Sequence, residues 1–432
     1  MSSQTTSSGS STGFSSSNSQ SVQKSGNVAS FTNKGNQSGL TAIDTYGNEF
    51  KVPDYSIKDI LKAIPPHCYE RRLIESFYYV FRDIFCMVSL GYVANTFIPI
   101  ISTNNYVKFA LWAGYVWMQG LLGTGIWVLA HECGHQAFSD YGWVNDTVGW
   151  VLHSYLLVPY FSWKYSHSKH HKATGHLTRD MVFVPRTKDQ FLNDNHVHDL
   201  EDLMADSPLF TLKNLLVQQF GGWLAYLATN VTGQEFPGVS QFNTNHFNPN
   251  SLLFDKKDYW FIVLSDIGIL IQSFILYTWY QKFGGFNILV NYFLPYILVN
   301  HWLVFITFLQ HSDPSMPHYE AFQWNFARGA AATIDREFGF VGQYIFHDII
   351  ETHVLHHYVS RIPFYNAREA SEAIKKVMGI HYKHTDENMW VSLWKSGRWC
   401  QYVDGDNGVL MYRNVNGFGV DPIKEQKQKQ SK

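Results

Sequence analysis

The chain has 432 residues, of which 16% are aromatic and 16% charged, well short of the roughly 25% charge of ordinary soluble domains. A net charge of −2, with no basic stripe interleaved with aromatics, excludes recruitment of nucleic acid by a global field. Low charge with abundant Phe, Trp and Tyr points to a membrane protein with polar appendages. Cys68, Cys86, Cys133 and Cys400 are scattered without a C-x-x-C, which fits reduced thiols and not a disulfide framework.

Residues 1–50, with stretches such as SSGSSTGFSSSNSQS, cannot bury a core and are expected to form a disordered Ser/Gln/Asn-rich leader. Met1 is followed by polar residues and no apolar signal-peptide core. The folded part is expected over 51–415, followed by a polar basic tail over 416–432 that ends KQKQSK.

Four windows are long and apolar enough to cross a bilayer. Ile84–Ile101 and Phe109–Ala130 hold no charge, Tyr259–Tyr280 holds only Asp266, and Phe286–Leu309 holds only the titratable His301. Short gaps join them into two hairpins. Lys58, Lys62, Arg71 and Arg72 precede the first window, and Lys164, Lys169, Lys172, Arg179 and Arg186 lie in the central stretch. The two turns carry only Lys108 and Lys282. The excess of positive charge therefore predicts that both termini and the central stretch lie in the cytosol. The fold expected is an all-α integral membrane protein, with four transmembrane helices in two hairpins and a cytosolic helical cap. Two weaker stretches, 149–163 and 215–231, are interrupted by His, Pro, Gln or Gly-Gly and read as interfacial or re-entrant helices on the cytosolic surface of the membrane, with packed soluble helices as the alternative. Asn36, Asn145 and Asn230 match N-x-[ST], but on this topology they face the cytosol and no glycan is expected.

Twenty histidines are present, and nine form an arrangement. His131 and His135 stand in HECGH directly after the second window. His167, His170 and His171 form HSKHH, and His353, His356 and His357 form HVLHH. His311, in LQHSDP, follows the fourth window. Spacings of three and four place each set on one helical face, and neutral imidazole suits zinc, copper, iron and nickel. HECGH alone satisfies the zinc-peptidase signature, with Glu132 as base. Nine nitrogens exceed the three protein ligands of a catalytic zinc, however, and suit two metal ions with open positions. His67, His153, His196, His198, His246, His318, His347, His381 and His384 read as structural or exposed. His176, in TGHLTRD, is a candidate to support a ligand, and His301 a buried neutral side chain.

HECGHQAF, HSKHHKATGH and HVLHH, together with LQH before a Pro-His-Tyr, resemble the membrane-bound acyl-lipid desaturases, above all fungal Δ12/ω3 enzymes of the oleate desaturase type. The likeness covers roughly residues 40–415 and extends around the boxes to NDTVGWVLHSYLLVPYFSWKYSH. The resemblance implies a non-haem di-iron site held by His131, His135, His167, His170, His171, His311, His353, His356 and His357. It further implies O2 as co-substrate, electrons from cytochrome b5 and NADH-cytochrome b5 reductase, an acyl phospholipid substrate, and residence in the endoplasmic reticulum membrane. In related acyl-CoA desaturases an Asn four residues before the LQH-type histidine contributes through water; Thr307 occupies that place here. The activity expected is cis-desaturation of oleoyl lipid at Δ12. The alternatives are an ω3 or bifunctional enzyme, a fatty-acid hydroxylase on the same scaffold, and a zinc membrane peptidase.

Overall fold

The structure, a computed structural model, describes residues 40–194, 207–415 and 419, all within one unit, Asn36–Lys432. The leader up to residue 39, most of the tail, His196, His198 and the Asn36 sequon lie outside the described residues. Order begins earlier than composition suggests. At the end of the stretch assigned to the leader, β1 (Thr41–Ile43) pairs antiparallel with β2 (Glu49–Lys51). Asp44 accepts from the amides of Tyr46 and Asn48 to close the turn, and Thr45 donates to the Tyr412 carbonyl at 2.6 Å. A Ser-rich average over fifty residues hides this short hairpin.

A capping box of Ser56 and Asp59 starts α1 (Ile57–Ala63). Then come α2 (Leu73–Ile101) and α3 (Asn105–Gly134), antiparallel across a three-residue turn whose Asn104 caps α3. After α4 (Gly142–Tyr155) the chain bends through Leu157, in the left-handed region, and Pro159 into α5 (Tyr160–His171). The weak apolar stretch 149–163 is thus split between two helices. Next are α6 (Lys188–Asp194), α7 (Pro208–Thr229) and α8 (Tyr259–Ile288). A π-helical turn (Leu289–Phe293) leads into α9 (Leu294–His311).

Helix α8 breaks at Gly284, whose φ of 80° and ψ of 172° lie in a region open essentially to glycine alone. Beyond it Trp279 donates to Asn287 at 2.8 Å, although eight residues of straight helix would separate them by about 12 Å. Leu276, Ile288 and Tyr292 then bury together. The 256–311 stretch is therefore a helical hairpin.

Two stretches are long and apolar enough to cross a membrane, Leu73–Ile101 and the continuous Lys256–His311. Of the four windows expected, 109–130 is not among them. It falls in α3, where Gly114, Gly120, Gly123 and Gly125 with Gln119 and Thr124 dilute the apolar character, and its second half is buried by neighbouring helices. Trp127, Trp163, Trp223, Trp302 and Phe305 build the main core around α3, α5, α7 and α9.

The remainder alternates short elements: β3 (Pro317–Tyr319), α10 (Phe326–Ala330), β4 (Asp335–Arg336), α11 (His353–Tyr358), α12 (Phe364–Met378), β5 (His384–Thr385), α13 (Met389–Trp399), β6 (Tyr402–Asp404) and β7 (Val409–Arg413). Strand β7 pairs antiparallel with both β3 and β6, while β4 and β5 pair in parallel. The bulk of the fold is helical as expected. The description all-α is corrected by these three small sheets, whose strands of two to five residues are too short to stand out in the sequence.

Candidate metal centre

Each histidine cluster sits at a helix terminus. His131 lies in the last turn of α3 and His135 is its C-cap residue. His167, His170 and His171 close α5. His311 is the last residue of α9, and His353, His356 and His357 occupy the six-residue α11. Convergence of four helix ends brings all nine rings into one layer. One nitrogen from each of His131, His135, His167, His171 and His356 lies within 4.8 Å of the others, and so does one from each of His170, His311 and His357. His353 adjoins the second group, its Nε2 3.0 Å from His311 Nε2. The two groups touch where His171 stacks on His357, centroids 4.2 Å apart and rings within 12° of parallel.

The side chains suit a metal. Within the first group Nε2 of His167 lies 3.1 Å from Nε2 of both His131 and His171. Two nitrogens each about 2.1 Å from one ion at right angles stand about 3 Å apart. Four of the nine residues, His135, His170, His356 and His357, have a buried Nε2 without a hydrogen-bond partner, while the Nε2 atoms of His131, His171 and His353 face neighbouring imidazole nitrogens. Native interiors rarely leave such groups unsatisfied, and cations answer these lone pairs. Burial holds the imidazoles of His131, His135, His167, His171, His311, His353, His356 and His357 well below their ordinary pKa, and neighbouring rings depress them further. The neutral form, the one that binds metal, is thus favoured.

Supporting contacts fix several rings. Asp180 Oδ1 bonds His170 Nδ1 at 2.5 Å, while its other oxygen accepts from the Gly175 amide. Thr174 Oγ1 lies 3.0 Å from His357 Nδ1. Asp335 accepts from the Val354 amide and so holds the start of α11. Asp83, on α2, meets His347 at 2.8 Å and ties down the segment leading to α11, where His347 and Asp348 both adopt left-handed backbone. No spacing in the sequence marks Asp180 or Asp83, since each acts across the fold. His176, the residue expected to support a ligand, instead accepts from the Thr178 amide and packs on Trp324. Asp180, four residues further on, takes that place.

Glu132 is buried beside His131, but its Oε1 is 3.6 Å from His131 Nδ1, too far for a hydrogen bond. Its other oxygen accepts from the Phe364 amide at 3.2 Å, at the start of α12, where helix polarity favours a negative group. Burial raises its pKa to about 8 against that hydrogen bond. Thr307 donates to the Leu303 carbonyl at 2.7 Å, satisfied within its own helix, and lines the adjoining cavity. His301 is sandwiched between Phe220 and Trp390, away from the cluster. His153 is buried against Trp127 and Trp163. Asn145, the second sequon, is buried and bonded to Ser139 and Tyr141.

A cavity opens from the centre. His131, His167, His170, His311 and His353 close one end, and its walls are mainly apolar, with Trp127, Trp163, Trp223, Phe183 and Leu303 among them. Gln218, Gly222 and Tyr226 of α7 line it at four-residue intervals, a run of about 12 Å along one helix face. A mainly apolar cavity bordered by clustered imidazoles suits a hydrocarbon segment held beside them.

Fold and site together define a helical protein with a buried polyhistidine centre beside a mainly apolar cavity. Comparison with known proteins gives that class its place: residues 109–388 match the fatty acid desaturase model. The chain belongs to the fatty acid desaturase family and is an oxidoreductase acting on fatty acyl chains. It is 49% identical to an oleate hydroxylase of Claviceps purpurea, over 88% of this chain and 85% of that protein. It is 40% identical to a Δ12 fatty acid desaturase of Mortierella alpina, over 86% and 94%. It is also 40% identical to an ω6 fatty acid desaturase of the endoplasmic reticulum from Brassica juncea, over 84% and 93%. Family membership removes the peptidase reading of HECGH, and the contact of Glu132 with α12 accounts for the acidic residue that suggested it.

Proposed function

We propose that this chain is a membrane acyl-lipid desaturase that introduces a cis double bond at Δ12 of oleoyl phospholipid. The observation that carries the reading is the mainly apolar cavity bordered by two adjoining groups of histidines. His131, His135, His167, His171 and His356 would hold one iron, and His170, His311 and His357 with His353 the other. Such a pair supplies the O2-dependent oxidation that an unactivated methylene, which has no useful acidity, requires. The protein's part is placement and exclusion. Trp127, Trp163 and Trp223 line the cavity, confine the chain and keep out water. Asp180, through His170, fixes ring orientation. Electrons would come from cytochrome b5 and its NADH reductase.

The chain would cross the endoplasmic reticulum membrane four times, as α2, α3 and the two arms of the α8–α9 hairpin, with both termini cytosolic. Outward-facing Phe81, Phe85 and Val88 on α2 and Leu270, Ile271 and Phe274 on α8 suit lipid. Helix α7, with Phe210, Val217 and Phe220 exposed, suits the interface. The name of the Brassica relative supports the compartment.

Hydroxylation of the same oleoyl chain is the second reading, favoured by the 49% identity to the Claviceps enzyme. Expression in a yeast lacking polyunsaturates, with gas chromatography of its fatty acids, separates these outcomes. Linoleate formed from endogenous oleate supports Δ12 desaturation, and a hydroxy acid moves the assignment to hydroxylase. Product formed only when linoleate is fed supports ω3 action. Iron in the purified protein is expected; zinc without iron would refute the site.

A further inference from the structure

A second set of metal-binding side chains meets away from the histidine layer. His67 and Cys68 lie in a one-turn helix, Pro66–Tyr69, entered through Pro65 and Pro66, whose rings preset the backbone there. Glu369 of α12 meets this turn, its Oε1 2.9 Å from Nε2 of His67. One ligand atom from each of His67, Cys68 and Glu369 lies within 4.8 Å of the other two, and the set shares no residue with either histidine group.

The turn is fixed against α12 by Asn366, three residues before Glu369. Asn366 Nδ2 donates to the carbonyls of Cys68 and Glu70, each at 3.2 Å, and its Oδ1 accepts from Arg72 at 3.3 Å. Residues three apart share a helix face, so the contact that anchors the turn also brings Glu369 to it. Cys68 is fully buried, in a cluster with Ile60, Ile64 and Ala370, whereas the side chains of His67 and Glu369 are 55% and 59% exposed. The cluster therefore has a shielded sulfur and a pair of ligands open to solvent.

An exposed His–Glu pair is worth little by itself and has no use for a thiol. The thiol makes the set a soft donor beside an imidazole and a carboxylate, a combination that calcium and magnesium, which prefer all-oxygen sites, do not select. Zinc accepts all three, at about 2.3 Å from sulfur and about 2.0–2.2 Å from nitrogen and oxygen. Tetrahedral angles then set the donor atoms about 3.3–3.6 Å apart, a separation that small side-chain rotations reach from this arrangement.

We infer that His67, Cys68 and Glu369 form a site for a zinc-type divalent cation, with the fourth position open to water. Burial first, and then the charge of Glu369, holds the Cys68 thiol above its ordinary pKa, so its S–H bond breaks only as the metal–sulfur bond forms, and the proton leaves to solvent. The bound ion joins the turn before α2 to α12, the helix whose first amide is held by Glu132 beside His131.

Full-length, iron-loaded protein in detergent tests the site, with Zn2+ and Cd2+ as probes. Elemental analysis after equilibration with zinc should find one zinc per chain with iron content unchanged, and cadmium should give the ultraviolet charge-transfer band of a metal–thiolate bond. Loss of a group that merely supports a ligand costs about 10–100-fold in affinity. Cys68→Ala, His67→Gln and Glu369→Gln are therefore each expected to weaken zinc binding by at least about tenfold, and Cys68→Ala should remove the band. The two exposed positions keep the test open if Cys68→Ala does not fold. No additional zinc, or zinc taken up only in exchange for iron, would overturn the inference. A cadmium band of equal strength in Cys68→Ala would do the same, as would zinc held equally by folded His67→Gln and Glu369→Gln.

Discussion

His170 carries Asp180 on its Nδ1, which leaves its buried, unpartnered Nε2 free toward His311 and His357. Carboxylates behind ligating imidazoles set tautomer and basicity, and their loss costs about 10–100-fold in metal affinity or activity. Asp180→Asn is therefore expected to lower bound iron and turnover within that range, measured by elemental analysis and by linoleate yield. His170→Ala should abolish turnover while the protein still accumulates. Glu132 stands differently. Its carboxyl holds the amide of Phe364 and reaches no imidazole within hydrogen-bond distance. Glu132→Gln keeps an acceptor there and should cost less activity than His131→Ala or His135→Ala. An equal loss in a side-by-side assay would return Glu132 to the chemistry.

At the scale of the element, two glycines decide how helices meet. Any side chain at Gly284 must adopt φ 80°, ψ 172°, at a cost of about 1–3 kcal/mol. Gly284→Ala should lower the melting temperature and disturb the hairpin more than the cavity. At Gly125 an added Cβ would lie 2.5 Å from the Ile345 carbonyl and 3.2 Å from Asp83 Oδ2. Gly125→Val should push the 345–353 segment off α3 and reduce iron content as well as stability, by about 1–3 kcal/mol of overpacking. Asn95, Asn287, Asn291 and Tyr115 add a polar tie between α2, α3 and the α8–α9 hairpin. The windows at 259–280 and 286–309 were legible as two helices because a Gly-Gly pair separates uniformly apolar runs. The third cluster was legible only as spacing. Its α11 is six residues long, and Asp335 and the Asp83–His347 contact hold it in place.

The molecule as a whole should respond to acid in a defined direction. Burial lowers the imidazole pKa of His246 and His318 to about 4, and lowers those of His131, His135, His167, His171, His311, His353, His356 and His357 as well. Each folded pKa lies below the unfolded value of about 6.5, so protons bind the unfolded chain preferentially. Their stabilisation is complete above about pH 6.5 and is lost as pH falls from there toward about 4. Protons also compete with metal for imidazole. Circular dichroism and elemental analysis between pH 8 and 4 should show iron and helix content steady above neutrality and lost together below about pH 6. Topology has its own test. Glycosylation tags inserted beside Thr103 and Gly285 should be modified if α2–α3 and the α8–α9 arms are spanning hairpins, and a tag beside Gly238 should not.

The sequence by itself determined what depends on neighbours along the chain: the apolar runs, the helical spacing of the histidines, and the nine residues that gather at the site. Two HxxHH boxes and HECGH already exceeded what a zinc peptidase needs. Tertiary structure alone decided which rings share a group, because the grouping crosses the boxes: His170 parts from His167 and His171, and His357 from His356. It also decided that Asp180, and not His176, braces one of the clustered histidines, and that Glu132 serves α12. These depend on helix ends far apart in sequence meeting in one layer, and no local pattern records where distant helix ends will meet.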